Sequence, residues 1–220
     1  MGRFITFEGG EGTGKSTQCR LLAERLRAGG DRVVITREPG GSPGAEAIRH
    51  VLLSGVAKPF GAEAETLLFA AARDDHLRTT IQPALAAGAW VLCDRFADST
   101  RVYQGVAGKV DVRFIRGLER IVVGNTRPEL TCILDLPAEA GLARAAARRG
   151  NGETDRFEGE ALAFHTSLRN AYRALATEEP ERCVVVDAAS DAKVVSEVIW
   201  SIVSGRFGLT ARAAPAETTR

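Results

Sequence analysis

The chain has 220 residues, 45% of them hydrophobic, enough to build one large domain around a real core. Its 29 basic and 28 acidic residues nearly cancel, which argues against a general nucleic-acid coat or a polybasic membrane binder. The basic residues are lopsided, with 25 Arg against 4 Lys, and 34 Ala point to compositional bias as the cause, so the place of each lysine carries information.

Five short apolar runs recur along the chain, at 3–8, 32–37, 89–94, 130–136 and 182–187. They are continuous rather than alternating, which suits strands buried on both faces. Segments with helical spacing separate them, at about 14–28, 44–54, 61–87, 98–104, 111–123, 138–149, 158–176 and 191–204. Strands alternating with helices predict a three-layer α/β/α sandwich around a mostly parallel sheet, with ligands at the carboxyl ends of the strands. Residues 1–204 read as one domain, and 205–220 lack periodicity and read as a frayed tail. No stretch approaches the roughly 20 apolar residues of a membrane span, and the N-terminus has no signal-peptide core. Cys19, Cys93, Cys132 and Cys183 are widely spaced with no CxxC pair, so small buried hydrophobes in a reducing, cytoplasmic setting are expected.

Directly after the first run comes Gly9-Gly10-Glu11-Gly12-Thr13-Gly14-Lys15-Ser16, then Thr17. It matches the phosphate-binding loop pattern G-x-x-x-x-G-K-[ST]. Successive glycines let backbone N–H groups curl around phosphate oxygens at the positive end of the next helix. Lys15 would reach the β- and γ-phosphates, and the Ser16 hydroxyl would bind Mg²⁺. At this composition the fixed positions match by chance in roughly one such sequence in two hundred, and one of four lysines stands here.

A phosphate loop alone leaves kinases, GTPases and motors open. No NKxD-like guanine-reading motif follows the later strands, and a motor would need more chain. The other strand ends decide further. The second run enters Thr36-Arg37-Glu38-Pro39-Gly40-Gly41, and the third ends Cys93-Asp94-Arg95-Phe96, followed by Tyr103-Gln104-Gly105. With Ala71-Ala72-Arg73 and the phosphate loop, these motifs stand in the order of the thymidylate kinases, which the chain resembles over about residues 3–204.

That resemblance implies a five-stranded parallel sheet in the order 2-3-1-4-5, ATP and dTMP as substrates, Mg²⁺ and a homodimer. It implies an ATP site at Gly9–Thr17, with Arg144 beside it, and Asp94 joining Ser16 at the metal. Phe69 becomes the plate on which thymine stacks, and Arg73, four residues on and on the same helical face, the donor to a base carbonyl. Tyr103 crowds the 2′ position of the sugar, with Ser99, Thr100 and Gln104 near the base. Glu11 meets the 3′-hydroxyl, while Glu38 and Arg49 serve the acceptor, Arg49 at its 5′-phosphate. Lys15 and Arg95 are expected to be catalytic, Arg95 bridging the acceptor and γ-phosphates. Because position 11 is Glu and position 12 is Gly, the resemblance is to the subgroup whose lid supplies a catalytic arginine. Here that is Arg148 or Arg149, in a lid at about 144–157 that is longer than the family's usual one. The three histidines are expected at the surface or in helix packing.

Overall fold

The computed structural model describes residues 2–150 and 157–209. Five strands form one parallel sheet: β1 (Arg3–Glu8), β2 (Val33–Arg37), β3 (Trp90–Asp94), β4 (Leu130–Asp135) and β5 (Cys183–Asp187), in the order β2-β3-β1-β4-β5. The register sets Phe7 opposite both Asp94 of β3 and Cys132 of β4. The carboxyl ends of β1 and β3 therefore finish side by side, and their trailing loops share one rim.

Side chains alternate across the sheet. Ile5 and Phe7 pack with Cys19, Leu22 and Leu26 of α1 (Lys15–Ala28) and with Val195, Ile199 and Val203 of α9 (Ala192–Phe207). Phe4, Thr6 and Glu8 face the other way. On that side lie α3 (Gly61–His76), α5 (Ala97–Thr100) and α8 (Leu162–Glu178). Phe4 meets Phe96 edge to face at 5.0 Å, and Thr6 Oγ1 lies 2.8 Å from Thr131 Oγ1. The remaining helices are α2 (Pro43–Leu53), α4 (Gln82–Ala86), α6 (Val112–Val122) and α7 (Ala138–Arg149).

Two expectations need correction. The outer strands β2 and β5 are not buried on both faces: Ile35 and Val185 are each 41% exposed, because an edge strand is incompletely covered. Nor does the tail begin at 205, since α9 continues to Phe207. The Phe207 ring packs edge to face on Trp90 at 5.1 Å, and Arg3 stacks on it; that contact holds the last turn. Residues 210–220 lie outside the described residues.

The segments expected as single helices at 61–87 and 98–104 each contain a wide turn. α3 passes through a π-helical turn (Leu77–Ile81) into α4, and α5 passes into a π-helical stretch (Arg101–Ala107). Such turns re-aim side chains and recur at functional sites. Here the second one carries Tyr103 and Gln104. α8 begins at Leu162, four residues later than the spacing suggested. Among the described residues no helix is long and apolar enough to cross a membrane, and all four cysteines are free and buried.

Candidate active site

The loop between β1 and α1 turns sharply, with positive φ at Gly9 (133°), Gly12 (66°) and Gly14 (93°). Gly12 also has no room for a side chain, since a Cβ there would lie 2.0 Å from the Gly141 carbonyl oxygen at the start of α7. Lys15 Nζ curls back to donate to the carbonyls of Gly9 (3.2 Å) and Gly10 (2.7 Å). Burial and the neighbouring Arg95 charge push the Lys15 ammonium below its ordinary range, so the site holds a cation that an incoming polyanion would stabilise. Ser16 Oγ donates to Asp94 Oδ2 across the rim.

Arg95 directly follows β3 at φ 66°, an uncommon backbone state for a residue with a side chain. Its guanidinium spans the loop: NH1 donates to Gly9 O (3.1 Å), and NH2 donates to Glu11 Oε1 (2.6 Å). The Tyr103 hydroxyl donates to the same Glu11 oxygen at 3.0 Å, and the guanidinium lies 5.0 Å from the centre of the Tyr103 ring. Burial opposes ionisation of Glu11, but the Arg95 and Lys15 charges and the Tyr103 bond outweigh it and bring its carboxyl down to about 2.

A second cluster floors the cleft. Arg73 Nε donates to Glu38 Oε2 (2.7 Å), and NH2 donates to Phe96 O (3.2 Å) and Thr100 Oγ1 (3.0 Å). Only its NH1 lacks an acceptor among the described residues. His76 holds the other Glu38 oxygen at 3.0 Å and Thr36 Oγ1 at 2.6 Å. Arg49 NH1 donates to Pro39 O at 2.5 Å; Pro39 follows a cis peptide bond. Phe69 stands beside Phe157, ring centres 6.5 Å apart, and Tyr103 meets Phe157 edge to face at 5.3 Å.

These groups surround one cleft of about 640 Å³. It contains a curled phosphate loop and a carboxylate–hydroxyl pair at its mouth, with an arginine reaching across it and an aromatic floor. This is an arrangement for gripping two phosphorylated ligands end to end. The family model for thymidylate kinase matches residues 7–199 of this chain. The chain belongs to the thymidylate kinase family. A thymidylate kinase of Nitrobacter winogradskyi is 63% identical over 97% of this chain and 92% of its own length. One of Bradyrhizobium diazoefficiens is 62% identical over 94% and 90%. The crystal structure of thymidylate kinase from Ehrlichia chaffeensis superposes with a TM-score of 0.75 at 31% identity, covering 92% of this chain and 98% of that one. The protein is thus a kinase of this family, with ATP as phosphate donor.

Of the site residues expected for this family, Glu11, Gly12, Gly14, Lys15, Ser16, Thr17, Glu38, Arg49, Phe69, Arg73, Asp94, Arg95, Ser99, Thr100, Tyr103, Gln104 and Arg148 line the cleft. Gly9 and Gly10 present their carbonyls to Lys15, and Thr13 is buried within the loop, its hydroxyl donating to Gly10 O at 3.1 Å. Two arginines stand apart. Arg144 is turned to the carbonyls of Ala188 (2.8 Å) and Ala189 (3.0 Å) after β5. Arg149 is paired with Glu158 at 2.5 Å. The expected lid at 144–157 falls outside the described residues from 151 to 156, and with it the segment Asn151–Thr154 that suggested extra length.

Several contributors escaped the sequence reading. Arg20, Arg37, Pro39, Leu53, Phe157 and Glu158 also line the cleft. Arg37 and Pro39 lie inside a motif whose glutamate alone drew attention. His76 is more than helix packing, because it reaches Glu38 and the end of β2. Glu8, fully buried at the end of β1, had one visible signal: a carboxylate closing an apolar strand directly before the phosphate loop.

Proposed function

We propose that the protein transfers the γ-phosphoryl group of ATP to the phosphate of dTMP, giving ADP and dTDP, the precursor of dTTP. The observation that carries this reading is the joining, in one cleft, of the phosphate loop with the Phe69–Arg73 floor. The loop suits a polyphosphate; the floor suits a planar base with a carbonyl edge. The acceptor phosphate is already an anionic nucleophile, so the chemistry needs little general-base assistance. Its difficulty lies in holding two polyanions in line and neutralising the transferring group.

Each residue then has a task. Backbone N–H groups of Gly10–Thr17 and Lys15 hold the ATP phosphates. Arg95, already spanning the loop, bridges acceptor and γ-phosphate, and Arg49 meets the acceptor's 5′-phosphate. Phe69 stacks on thymine, with Thr100 and Gln104 beside the base. Arg73 gives its remaining NH1 to a base carbonyl while Glu38 holds the guanidinium. Glu11 and Tyr103 hold the sugar. Both arginines reach Glu158, Arg148 at 3.5 Å and Arg149 at 2.5 Å, but only Arg148 lines the cleft, so Arg148 is the better placed to meet the transferring group, and Arg144 would serve ATP.

Ser16 and Asp94 offer a hydroxyl and a carboxylate oxygen in direct contact. This is a hard-oxygen pair that fits Mg²⁺, which keeps several waters and takes few protein ligands. Bound there with the ATP phosphates, the ion would supply charge neutralisation. The protein acts as a homodimer in this reading. Val56, Phe60, Leu67 and Ile121, 49–80% exposed, give the segment around α2, α3 and α6 apolar surface to cover. Its setting is the cytoplasm.

A coupled ADP-release assay with ATP, Mg²⁺ and a panel of nucleoside monophosphates tests the reading. Turnover is expected to be fastest with dTMP. No turnover of dTMP by folded protein, or a clear preference for another acceptor, refutes it.

A further inference from the structure

We propose that Glu8 is a positioning residue for Arg95, its carboxylate pinning the Phe96–Ser99 turn and orienting the two hydroxyls that receive the guanidinium. This rests on the role given above to Arg95. Glu8 is fully buried, and among the described residues its oxygens are filled by neutral donors rather than by a cation. Oε1 accepts the backbone N–H of Phe96 (2.8 Å) and of Ser99 (3.2 Å). Oε2 accepts the Ser99 hydroxyl (2.7 Å) and the Tyr172 hydroxyl (3.0 Å).

Two consequences reach Arg95. First, its backbone is held on both sides: Arg95 N donates to Phe7 O at 2.9 Å, and the next residue is tied to Glu8. A side-chain-bearing residue at φ 66° persists only where its surroundings over-determine it. Second, Arg95 NH1 donates to Ser99 Oγ and Tyr172 Oη, each at 3.3 Å. Each hydroxyl has one proton. While both protons point at a Glu8 carboxylate, both oxygens face Arg95 with lone pairs. If Glu8 becomes protonated, or Gln replaces it, one side of the group becomes a donor. The backbone N–H groups on Oε1 cannot turn, so the hydroxyls must. One can donate to the other across the 2.9 Å between them; the displaced proton of the second then competes with NH1.

The charged and titratable neighbours come from every packed element: Asp98 on α5, Arg95 and Cys93 at the end of β3, Tyr172 on α8 and Lys15 at the start of α1. Asp98 is itself compensated by Arg182, at 2.7 and 2.8 Å. Burial first, then Asp98, raises the Glu8 carboxyl to about 7 against Arg95, Ser99 and Phe96. The orienting, ionised form therefore prevails above that pH and is lost below it.

The test compares wild type, Glu8→Gln, Arg95→Met and the double variant. Steady-state kinetics with saturating ATP and Mg²⁺ run from about pH 5.5 to 9 across that transition, and dTMP affinity is measured by calorimetry. Glu8→Gln is expected to lower kcat about ten- to hundredfold, as misplacement of a reacting group does. The ATP KM should stay within about twofold, and the acid limb near neutrality should vanish. In the Arg95→Met background the same change should cost dTMP binding and turnover little further. Tyr172→Phe, which removes one hydroxyl and keeps the backbone ties, should show a smaller loss and covers the case in which Glu8→Gln does not fold. Wild-type kcat with the acid limb intact in Glu8→Gln, or equal losses with and without Arg95, would overturn the proposal. Failure of wild type to phosphorylate dTMP would instead sink the reading of the reaction.

Discussion

Replacing Glu11 by Gln tests whether the loop carboxylate is held by cations, as the geometry requires, or is a bystander. Its carboxyl falls from an ordinary 4.5 to about 2 in the folded protein, Arg95 and Lys15 overcoming burial. At about 1.4 kcal/mol per tenfold in a protonation equilibrium, the ionised form is favoured over the neutral one by roughly 3 kcal/mol. Both partners in the Arg95–Glu11 pair have side chains only 15% exposed, so solvent screening takes little away. The Gln carbonyl can still accept one of the two bonds, which returns about 1 kcal/mol. The variant should therefore be about 2 kcal/mol less stable near neutrality, or about 4–8 °C lower in Tm for a chain of this size. The pH dependence is sharper evidence. A depressed carboxyl stabilises the fold above its unfolded value, and that contribution is lost as pH falls toward the folded value. The gap between wild type and Glu11→Gln should shrink by about 1.4 kcal/mol between about pH 6 and 3.5. Urea unfolding at a series of pH values reads it. A constant gap, or a variant as stable as wild type at pH 6, would refute the electrostatic account of the loop.

The other predictions concern single contacts. Lys15→Ala should reduce turnover by at least about a thousandfold while the fold, read by circular dichroism, stays intact. Phe69→Ala should raise the dTMP KM about tenfold or more and leave that for ATP within about twofold; equal effects on both would remove Phe69 from the base. Gly12→Ala should abolish ATP binding in calorimetry or destabilise the fold, since its Cβ would sit 2.0 Å from Gly141 O at φ 66°. Phe207→Ala should cost about 2 kcal/mol in urea unfolding, because its ring covers Trp90; no change would return residues 205–207 to the tail.

What the sequence revealed follows from which interactions are local. The strand order follows from the motifs only through the family they indicate, whereas strand positions follow from apolar runs whose limits shift by a residue at most from those observed. The phosphate loop was legible because its glycines are needed for the backbone itself: three positive φ angles and two carbonyls too close for a Cβ allow little else. Glu8 and His76 were not legible, because burial of a carboxylate or an imidazole is decided by partners far along the chain. Tyr172 lies 164 residues from Glu8, and His76 lies 38 from Glu38. The edge exposure of Ile35 and Val185 was likewise invisible, since an edge strand and a central one can carry the same apolar run.

Charge is where local and global readings diverge most. The whole chain has a net charge of +1, yet among the described residues the cleft is lined by Lys15 and six arginines against four carboxylates. Those carboxylates do not simply neutralise the cations. Glu38 orients Arg73, and Glu11 holds Arg95 over the loop through a bond that a competing phosphate could take. Asp94 sits against Ser16 rather than against an arginine. A cleft with this many cations would repel itself open; with Arg73 and Arg95 tied to carboxylates and Arg49 to a carbonyl, those donors stay aimed where charge will arrive, so little reorganisation is left for the reacting complex. The compositional surplus of arginine supplied the material, and the sparse acids determine which of those arginines point inward.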